Sequence, residues 1–322
     1  MDRPGAVVGR AVAAFADRYL PGGAGSEMSW CVALSGGADS LALTAAAAHL
    51  RPTTALIVDH RLQPGSADIA ARAAETARAL GCVDVRILPV DVGTDGGPEA
   101  AARTARYAAL DAARQGLPVL IGHTLDDQAE TVLLGLGRGS GPRSIAGMVP
   151  HDPPWCRPLL GVRRAETLTA CADAGLTPWA DPHNDDPRYT RVRLRTEVLP
   201  LLEDVLGGGV AESLARTAIT LQEDNAVLDA QATALLPVAM TDDGLDVGVL
   251  GTTAPAVRRR VLRLWLLNAG SAGLTDTALR AVDALIGDWH GQGGVAVAGT
   301  RARHRMMVER RDGALRLRHR PV

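Results

Sequence analysis

Apolar residues along the first 140 positions fall into short unbroken runs, separated by Ala-rich stretches of helical pattern. The stretches over 30–34, 54–58, 83–90 and 118–122 predict strands, and those that read as continuous apolar runs point to a sheet covered on both faces, because a strand with one wet face would alternate apolar and polar residues. The intervening stretches predict helices over 40–50, 66–80, 98–115 and 125–136. The second of these stops at Gly81, and the third opens on Pro98 and stops at Gly116, as helix geometry favours. Strand and helix in alternation predict the α/β class, with a doubly wound parallel sheet.

Past residue 137 the pattern changes. Gly and Pro dominate up to 186, and 137–160 reads as loop, with a helix over 163–174. Helical patterns then run over 191–206, interrupted by Pro200, and over 210–236 and 253–267. The tail from 293 to 320 alternates like strands around Arg311-Asp312-Gly313-Ala314, a hairpin signal. This predicts a first domain over 1–205 and a mainly helical second domain over 206–322 that carries a small β element. No internal repeat is visible.

Composition narrows the possibilities. The 322 residues are 47% hydrophobic and 22% charged, ordinary for a globular chain. Aromatics are 3%, with Phe15 the one phenylalanine, so the core rests on Ala, Val and Leu. No apolar run reaches the roughly 18 residues of a membrane span and no signal-peptide pattern opens the chain, so a soluble cytoplasmic protein with no membrane partner is expected. Cys31, Cys82, Cys156 and Cys171 form no CxxC pair, which removes the usual signature of zinc-ribbon, thioredoxin-like and simple iron–sulfur proteins. The sequence has no lysine, so a Schiff-base lysine is excluded and the side-chain cations other than histidine are guanidiniums. The net charge of −2 gives no global sign of nucleic-acid binding, which would have to come from local patches.

The most informative stretch is Ser35-Gly36-Gly37-Ala38-Asp39-Ser40, where the first strand runs into a helix. Two glycines allow a tight turn and close approach of a ligand to the backbone. Successive N–H groups and the helix N-terminus favour an anion, and Ser35 and Ser40 add hydroxyls. Asp39 would repel bare phosphate, so a magnesium ion carried with a nucleotide is expected. A plain strand–helix turn, with Asp or Ser as a cap, is the blander reading. The stretch is neither GxxxxGK[ST] nor GxGxxG.

This hexapeptide after an apolar strand resembles the pyrophosphatase loop of the N-type ATP pyrophosphatase superfamily. Further segments narrow the resemblance: Asp59-His60-Arg61, Glu99 with Arg103, Arg106 and Tyr107, His123 with Asp126, Asp127, Gln128, Glu130 and Thr131, Arg157-Pro158-Leu159-Leu160, and Trp179 with Asp181 and Asn184. Over roughly residues 30–205 they closely resemble the tRNA(Ile)-lysidine synthetase family. The resemblance implies an ATP pyrophosphatase domain over 1–205 and a tRNA-binding domain over 206–322. Its implied reaction joins free lysine to C2 of the wobble cytidine of tRNA(Ile) with a CAU anticodon. Cytidine O2 attacks the α-phosphate of ATP, pyrophosphate leaves, and the lysine side-chain amine then expels AMP. ATP and Mg2+ are the implied co-substrate and cofactor, and a homodimer is left open.

The resemblance implies the following roles for residues of this chain. Ser35, Gly36, Gly37, Ala38, Asp39, Ser40, Asp59 and His60 bind ATP. Asp39, His123, Asp126 and Asp127 form the catalytic set, with Asp39 and Asp127 on the metal. His123 reads equally well as a hydrogen-bonded strand-end histidine. Glu99, Arg103 and Arg106 bind lysine, a carboxylate for the ammonium and guanidiniums for the carboxylate; a surface ion pair is the alternative. Arg188, Tyr189, Arg191 and Arg195 bind tRNA, or else form a solvated face balanced by Asp185, Asp186 and Glu197. Eight arginines over 301–320 could track an RNA backbone or line one exposed face of a strand. The chain departs from the family at Thr124, where a second His or an Asn is usual, and at Val192, where Asn is usual. A tRNA thiolation enzyme of the same superfamily would need catalytic cysteines, which the spacing does not supply. A nucleotide-binding regulatory protein without turnover is the remaining rival.

Overall fold

The strands place alternate side chains on opposite faces of one sheet, and both faces of its central strands are buried, whereas the edge strand over 84–89 is half-exposed. Trp30, Val32 and Leu34 point to one side, and Cys31 and Ala33 to the other. Ala55 and Ile57 likewise oppose Leu56 and Val58, and Leu120 opposes Val119 and Ile121. The computed structural model describes residues 4–63, 65–93, 97–139, 141–181, 186–299 and 304–321.

In chain order the elements are α1 (Pro4–Tyr19), β1 (Trp30–Ala33), α2 (Ala38–Leu50), β2 (Thr53–Asp59), α3 (Ser66–Ala79), β3 (Asp84–Pro89), α4 (Pro98–Ala113), β4 (Val119–Ile121), α5 (Leu125–Arg138), α6 (Pro142–Ile145), β5 (His151–Asp152), β6 (Trp155–Cys156) and α7 (Arg164–Asp173). Then come α8 (Thr190–Arg193), a π turn (Leu194–Val198), α9 (Leu199–Leu206), α10 (Val210–Ala239), β7 (Met240–Thr241), β8 (Gly244–Asp246), α11 (Val247–Gly251), α12 (Pro255–Asn268), α13 (Asp276–Gly287), β9 (Val295–Val297), β10 (His304–Arg311) and β11 (Ala314–Pro321).

Two compact units result. The first comprises Met1–Leu134 and Gly147–Ala218, the second Gly135–Ala146 and Ile219–Val322. The sheet of the first unit runs in the order β3-β2-β1-β4-β6-β5. All its pairings are parallel except the short β5–β6 hairpin. Helices α1, α2, α3 and α7 cover one face and α4 the other. The expected doubly wound architecture is therefore present. The chain leaves β1 for β2 and β3 on one side and returns to β4 on the other, so the carboxyl ends of β1 and β4 flank the crevice where open α/β sheets bind ligands.

Three local differences from the sequence expectation have physical causes. Helix α1, not anticipated from the pattern, buries Val8, Val12, Phe15 and Ala16 against α2 and α7. The stretch over 137–160 is not all loop, since α6 and the two-residue strands β5 and β6 lie within it. Pro200 does not end its helix: the wide π turn precedes it, and its ring nitrogen has no hydrogen to give to the preceding turn.

In the second unit α12 and α13 bury Val261, Leu262, Leu266, Val282 and Leu285 beside an antiparallel sheet of order β7-β8-β11-β10-β9. The β10–β11 turn places Asp312 (φ 49°) and Gly313 (φ 78°) in the left-handed region, as a two-residue hairpin turn requires. Arg301 and Arg303 lie outside the described residues. Of the other tail arginines, Arg311 and Arg318 approach Glu309, and Arg316 pairs with Asp243 and Asp312.

Helix α2 packs closely on the end of β4. A Cβ on Gly122 would stand 3.0 Å from the Asp39 carbonyl carbon and 3.1 Å from Ser40 N, both backbone atoms that cannot move without shifting the helix. Gly122→Ala is accordingly expected to lower the unfolding free energy by about 1–3 kcal/mol, the usual cost of overpacking, as read from urea denaturation. An unchanged midpoint would contradict this contact.

Candidate active site

The turn between β1 and α2 is built to leave donors free. Gly36 sits at φ +87°, a conformation that L side chains rarely adopt, and its carbonyl accepts Trp179 N at 3.0 Å. The Ser40 hydroxyl donates to Gly37 O at 2.9 Å, accepts from Ser35 N at 3.2 Å and lies 3.1 Å from the Ser35 hydroxyl. Ser40 therefore braces the turn. Gly37 is the N-cap of α2 and offers no side chain to cap it. The first N–H groups of α2 carry the positive end of the helix dipole towards a cavity of about 840 Å³.

That cavity is lined by Ser35, Gly37, Ala38, Asp39 and Ser40 on one side and by Asp59, His60, Arg106, His123, Asp127, Arg164, Trp179 and Arg195 around the rest. The sequence-expected ATP residues thus lie together, apart from Gly36, which sits in the turn itself. Asp59 is buried, and its carboxylate accepts Arg61 N at 3.0 Å, closing the turn after β2. His60 Nδ1 and His123 Nδ1 are both buried without a hydrogen-bond partner. Such atoms are rare in folded proteins and mark places where a ligand or water completes the set. Burial lowers the basicity of both imidazoles; Arg106 adds to the effect in each, while Asp59 opposes it at His60 and Asp127 at His123. His123 is therefore neutral at pH 7.

The carboxylates are organised by α7. Arg164 donates to Asp127 Oδ1 at 2.7 Å and to Asp39 Oδ2 at 3.3 Å. Thr167, in the next turn, donates to the other Asp39 oxygen. The remaining Asp127 oxygen accepts from Thr124 N at 2.8 Å and from the Thr124 hydroxyl at 2.9 Å. Thr124, the family departure, is thus a brace for Asp127. Glu130 is fully buried and receives Arg195 Nε at 2.8 Å, with Arg191 at 3.7 Å and Arg164 at 3.9 Å.

Burial raises the Asp39 carboxyl, and Thr167 and Arg164 only partly counter it. For Asp127 burial also pushes upward, but the Arg164 guanidinium and the Thr124 hydrogen bonds outweigh it and hold the carboxyl below its ordinary value. The two aspartates, both against Arg164, therefore shift in opposite directions.

Other expected residues are placed differently from one another. Asp126 accepts Arg164 N at 2.7 Å and pairs with Arg163 at 3.3 Å, so it fixes the start of α7 and is turned away from the cavity lining. Arg106 lines the cavity, whereas Arg103, three residues earlier, is exposed, lies over the Tyr107 ring at 4.9 Å and faces a separate shallow hollow with Trp155. The Glu99 side chain lies outside the described residues. Arg191 and Arg195 turn inward to Glu130, while Arg188 pairs locally with Asp186 at 2.6 Å and Arg193 with Glu197 at 2.8 Å. Asp185 lies outside the described residues. Arg164, Thr167 and Glu130 were not singled out from the sequence as site residues. Glu130, one helical turn beyond Asp127, was within reach of spacing; Arg164 and Thr167 were not, because the fold returns them to Asp39 from more than 120 residues away.

The sequence pattern of the PP-loop domain family matches residues 11–202, and that of the TilS substrate-binding domain matches 245–316. The tRNA(Ile)-lysidine synthase of Mycolicibacterium paratuberculosis is 62% identical over 324 residues, covering 100% of both chains. The chain belongs to the tRNA(Ile)-lysidine synthase family. Its member from Mycobacterium leprae is 59% identical over 328 residues, again with 100% of each chain covered. The family member from Mycobacterium tuberculosis strain H37Rv is 63% identical over 297 residues, 91% of this chain and 92% of that one. Among solved structures, the U34-tRNA thiolase NcsA from Methanococcus maripaludis superposes with a TM-score of 0.55 at 19% identity, covering 68% of this chain and 79% of that chain. At that identity the likeness concerns the fold alone. The cysteines of this chain sit in no reactive setting. Burial pushes the thiols of Cys31 and Cys82 up to about 11 and that of Cys156 to about 12, and it also raises Cys171. Among the described residues no helix is long and apolar enough to cross a membrane.

The opposite shifts of the two aspartates give a signed expectation. A raised folded-state value means that charged Asp39 weighs against the fold, a penalty relieved as pH falls through that value. A lowered one means that Asp127 contributes stability which is full above its ordinary value of 3.8 and is lost as pH falls through the folded value. At pH 7 without nucleotide, Asp39→Asn should therefore leave the melting temperature equal or higher. Asp127→Asn should cost about 1–3 kcal/mol by leaving Arg164 and the Thr124 donors short of a charged acceptor. The reverse order in thermal melts would contradict this assignment.

Proposed function

We propose that this cavity activates the wobble cytidine of tRNA(Ile) with ATP and joins it to free lysine. The uncapped start of α2, aimed into a cavity with two unpartnered imidazole nitrogens, carries the reading. The N–H groups of residues 38–40 receive the departing pyrophosphate, and the helix dipole stabilises charge that grows as the bond to the α-phosphate breaks. Cytidine O2 becomes a phosphate oxygen of AMP, turning a poor leaving group into a good one. Attack of the lysine side-chain nitrogen at C2 then forms the new C–N bond and expels AMP. His60 and His123 act as neutral imidazoles that hydrogen-bond the nucleotide. The depressed basicity of His123 makes it unsuited to storing a proton.

Asp39 and Asp127 fit a magnesium ion brought with the nucleotide, since carboxylates from two elements converge on a single cationic group. When bound, the metal would neutralise the charge on the departing pyrophosphate. Positioning and electrostatics, with no covalent enzyme intermediate, carry the catalysis. An anticodon base must leave its stack to reach the cavity, which a loop permits cheaply. Residues 206–322, together with exposed Arg188 and half-buried Tyr189, hold the tRNA in this reading, and the wobble base belongs to a CAU anticodon.

Lysine recognition falls to Arg106 in the cavity wall, with Glu99 and Arg103 on the same helix. Because Arg103 faces the neighbouring hollow, Arg106→Ala should raise the KM for lysine by about tenfold or more, the scale of a lost charge-assisted contact, and Arg103→Ala by less. The opposite ranking would contradict the placement. The reaction itself is tested by incubating the chain with ATP, lysine and tRNA(Ile), then measuring AMP release and nucleoside masses. AMP release that needs both lysine and tRNA, with cytidine converted to lysidine, is the expected result. A requirement for a sulfur donor, or no AMP at all, would overturn it.

A further inference from the structure

The most heavily engaged cation in the cavity is Arg164. Its side chain reaches Asp127 at 2.7 Å, Asp39 at 3.3 Å and Glu130 at 3.9 Å, so one guanidinium serves carboxylates from the first turns of α2 and α5. Its backbone is pinned separately, because Arg164 N donates to Asp126 at 2.7 Å. The side chain can therefore swing on several rotatable bonds about a fixed root, and it lines the cavity. Asp39 keeps Thr167 as a second donor, and Asp127 keeps Thr124. Neither carboxylate depends on Arg164 alone for its orientation.

Hard oxygen donors from two elements, converging on one positive charge, form an arrangement that also suits a divalent cation. A guanidinium and a metal ion cannot share that space, because their like charges repel across a poorly solvated gap. We propose that Arg164 is an exchangeable counter-ion. It neutralises Asp39 and Asp127 before nucleotide binds, yields them to the metal that arrives with the nucleotide, and turns its planar fork to the phosphates. The exchange makes metal and nucleotide bind together: metal alone has to displace Arg164 without offering it a new partner. This inference rests on the reading that the cavity takes a metal–nucleotide complex.

The test uses the full chain, Mn2+ as the probe metal, and α,β-methylene-ATP, which cannot be cleaved at the α-phosphate. Free Mn2+ is counted by electron paramagnetic resonance, with and without the analogue. The wild-type chain should bind Mn2+ weakly alone and much more tightly with the analogue. Arg164→Gln should bind Mn2+ alone about tenfold more tightly than wild type and the analogue about tenfold more weakly, within the usual span of coupling between sites. Arg164→Lys keeps the charge without the fork. It should retain the weak binding of Mn2+ alone and lose part of the analogue affinity. Equal Mn2+ affinities in wild type and Arg164→Gln would overturn the exchange while leaving the nucleotide reading intact. A wild-type chain that binds no analogue would remove both. Should Arg164→Gln fail to fold, Arg164→Lys decides: undiminished analogue affinity overturns the proposal.

Discussion

Withdrawing three carboxylates from water at one end of a sheet is expensive unless cations and donors meet them. Asp39, Asp127 and Glu130 are in that position, and much of the first unit's local architecture answers to it. Helix α7 supplies Arg164 and Thr167, α5 opens on Thr124, and the π turn before α9 contributes Arg195. Every fixed cation in this network is a guanidinium, as a chain without lysine dictates. Guanidiniums suit it because one planar fork can serve two acceptors at once.

The same network explains why the cavity is both ordered and ready for ligand. Donors on the β1–α2 turn are left free because Gly37 provides no cap, and Ser40 spends its hydroxyl on holding the turn's shape. Two imidazoles stay neutral and lack a partner at Nδ1. Burial makes the charged form of Asp39 costlier than it is in water, a cost characteristic of sites built for function over stability. Positive helix end, neutral imidazoles and paired carboxylates lie within one crevice because the strand order reverses between β1 and β4.

Much of this could be read from the chain. Unbroken apolar runs marked the central parallel strands β1, β2 and β4, and the Asp312-Gly313 turn marked its hairpin, because both depend on neighbours in sequence. The β1–α2 turn was legible for the same reason, since its chemistry is contained in six consecutive residues. Helix α1 was missed although Val8, Val12 and Phe15 have helical spacing, and β5 and β6 are too short to leave any periodicity. The partners of the carboxylates were hidden for a different reason. Arg164 meets Asp39 across 125 positions, and Arg195 meets Glu130 across 65. Nothing local in the sequence distinguishes these arginines from Arg188 or Arg193, which face solvent and pair with their own neighbours.

A crystal structure of the chain with α,β-methylene-ATP, Mg2+ and tRNA(Ile) tests the central claim most directly. The account predicts the β- and γ-phosphates on the N–H groups at the start of α2 and the α-phosphorus facing the wobble cytidine. A triphosphate bound away from that turn, with the turn's donors left to solvent, would contradict it.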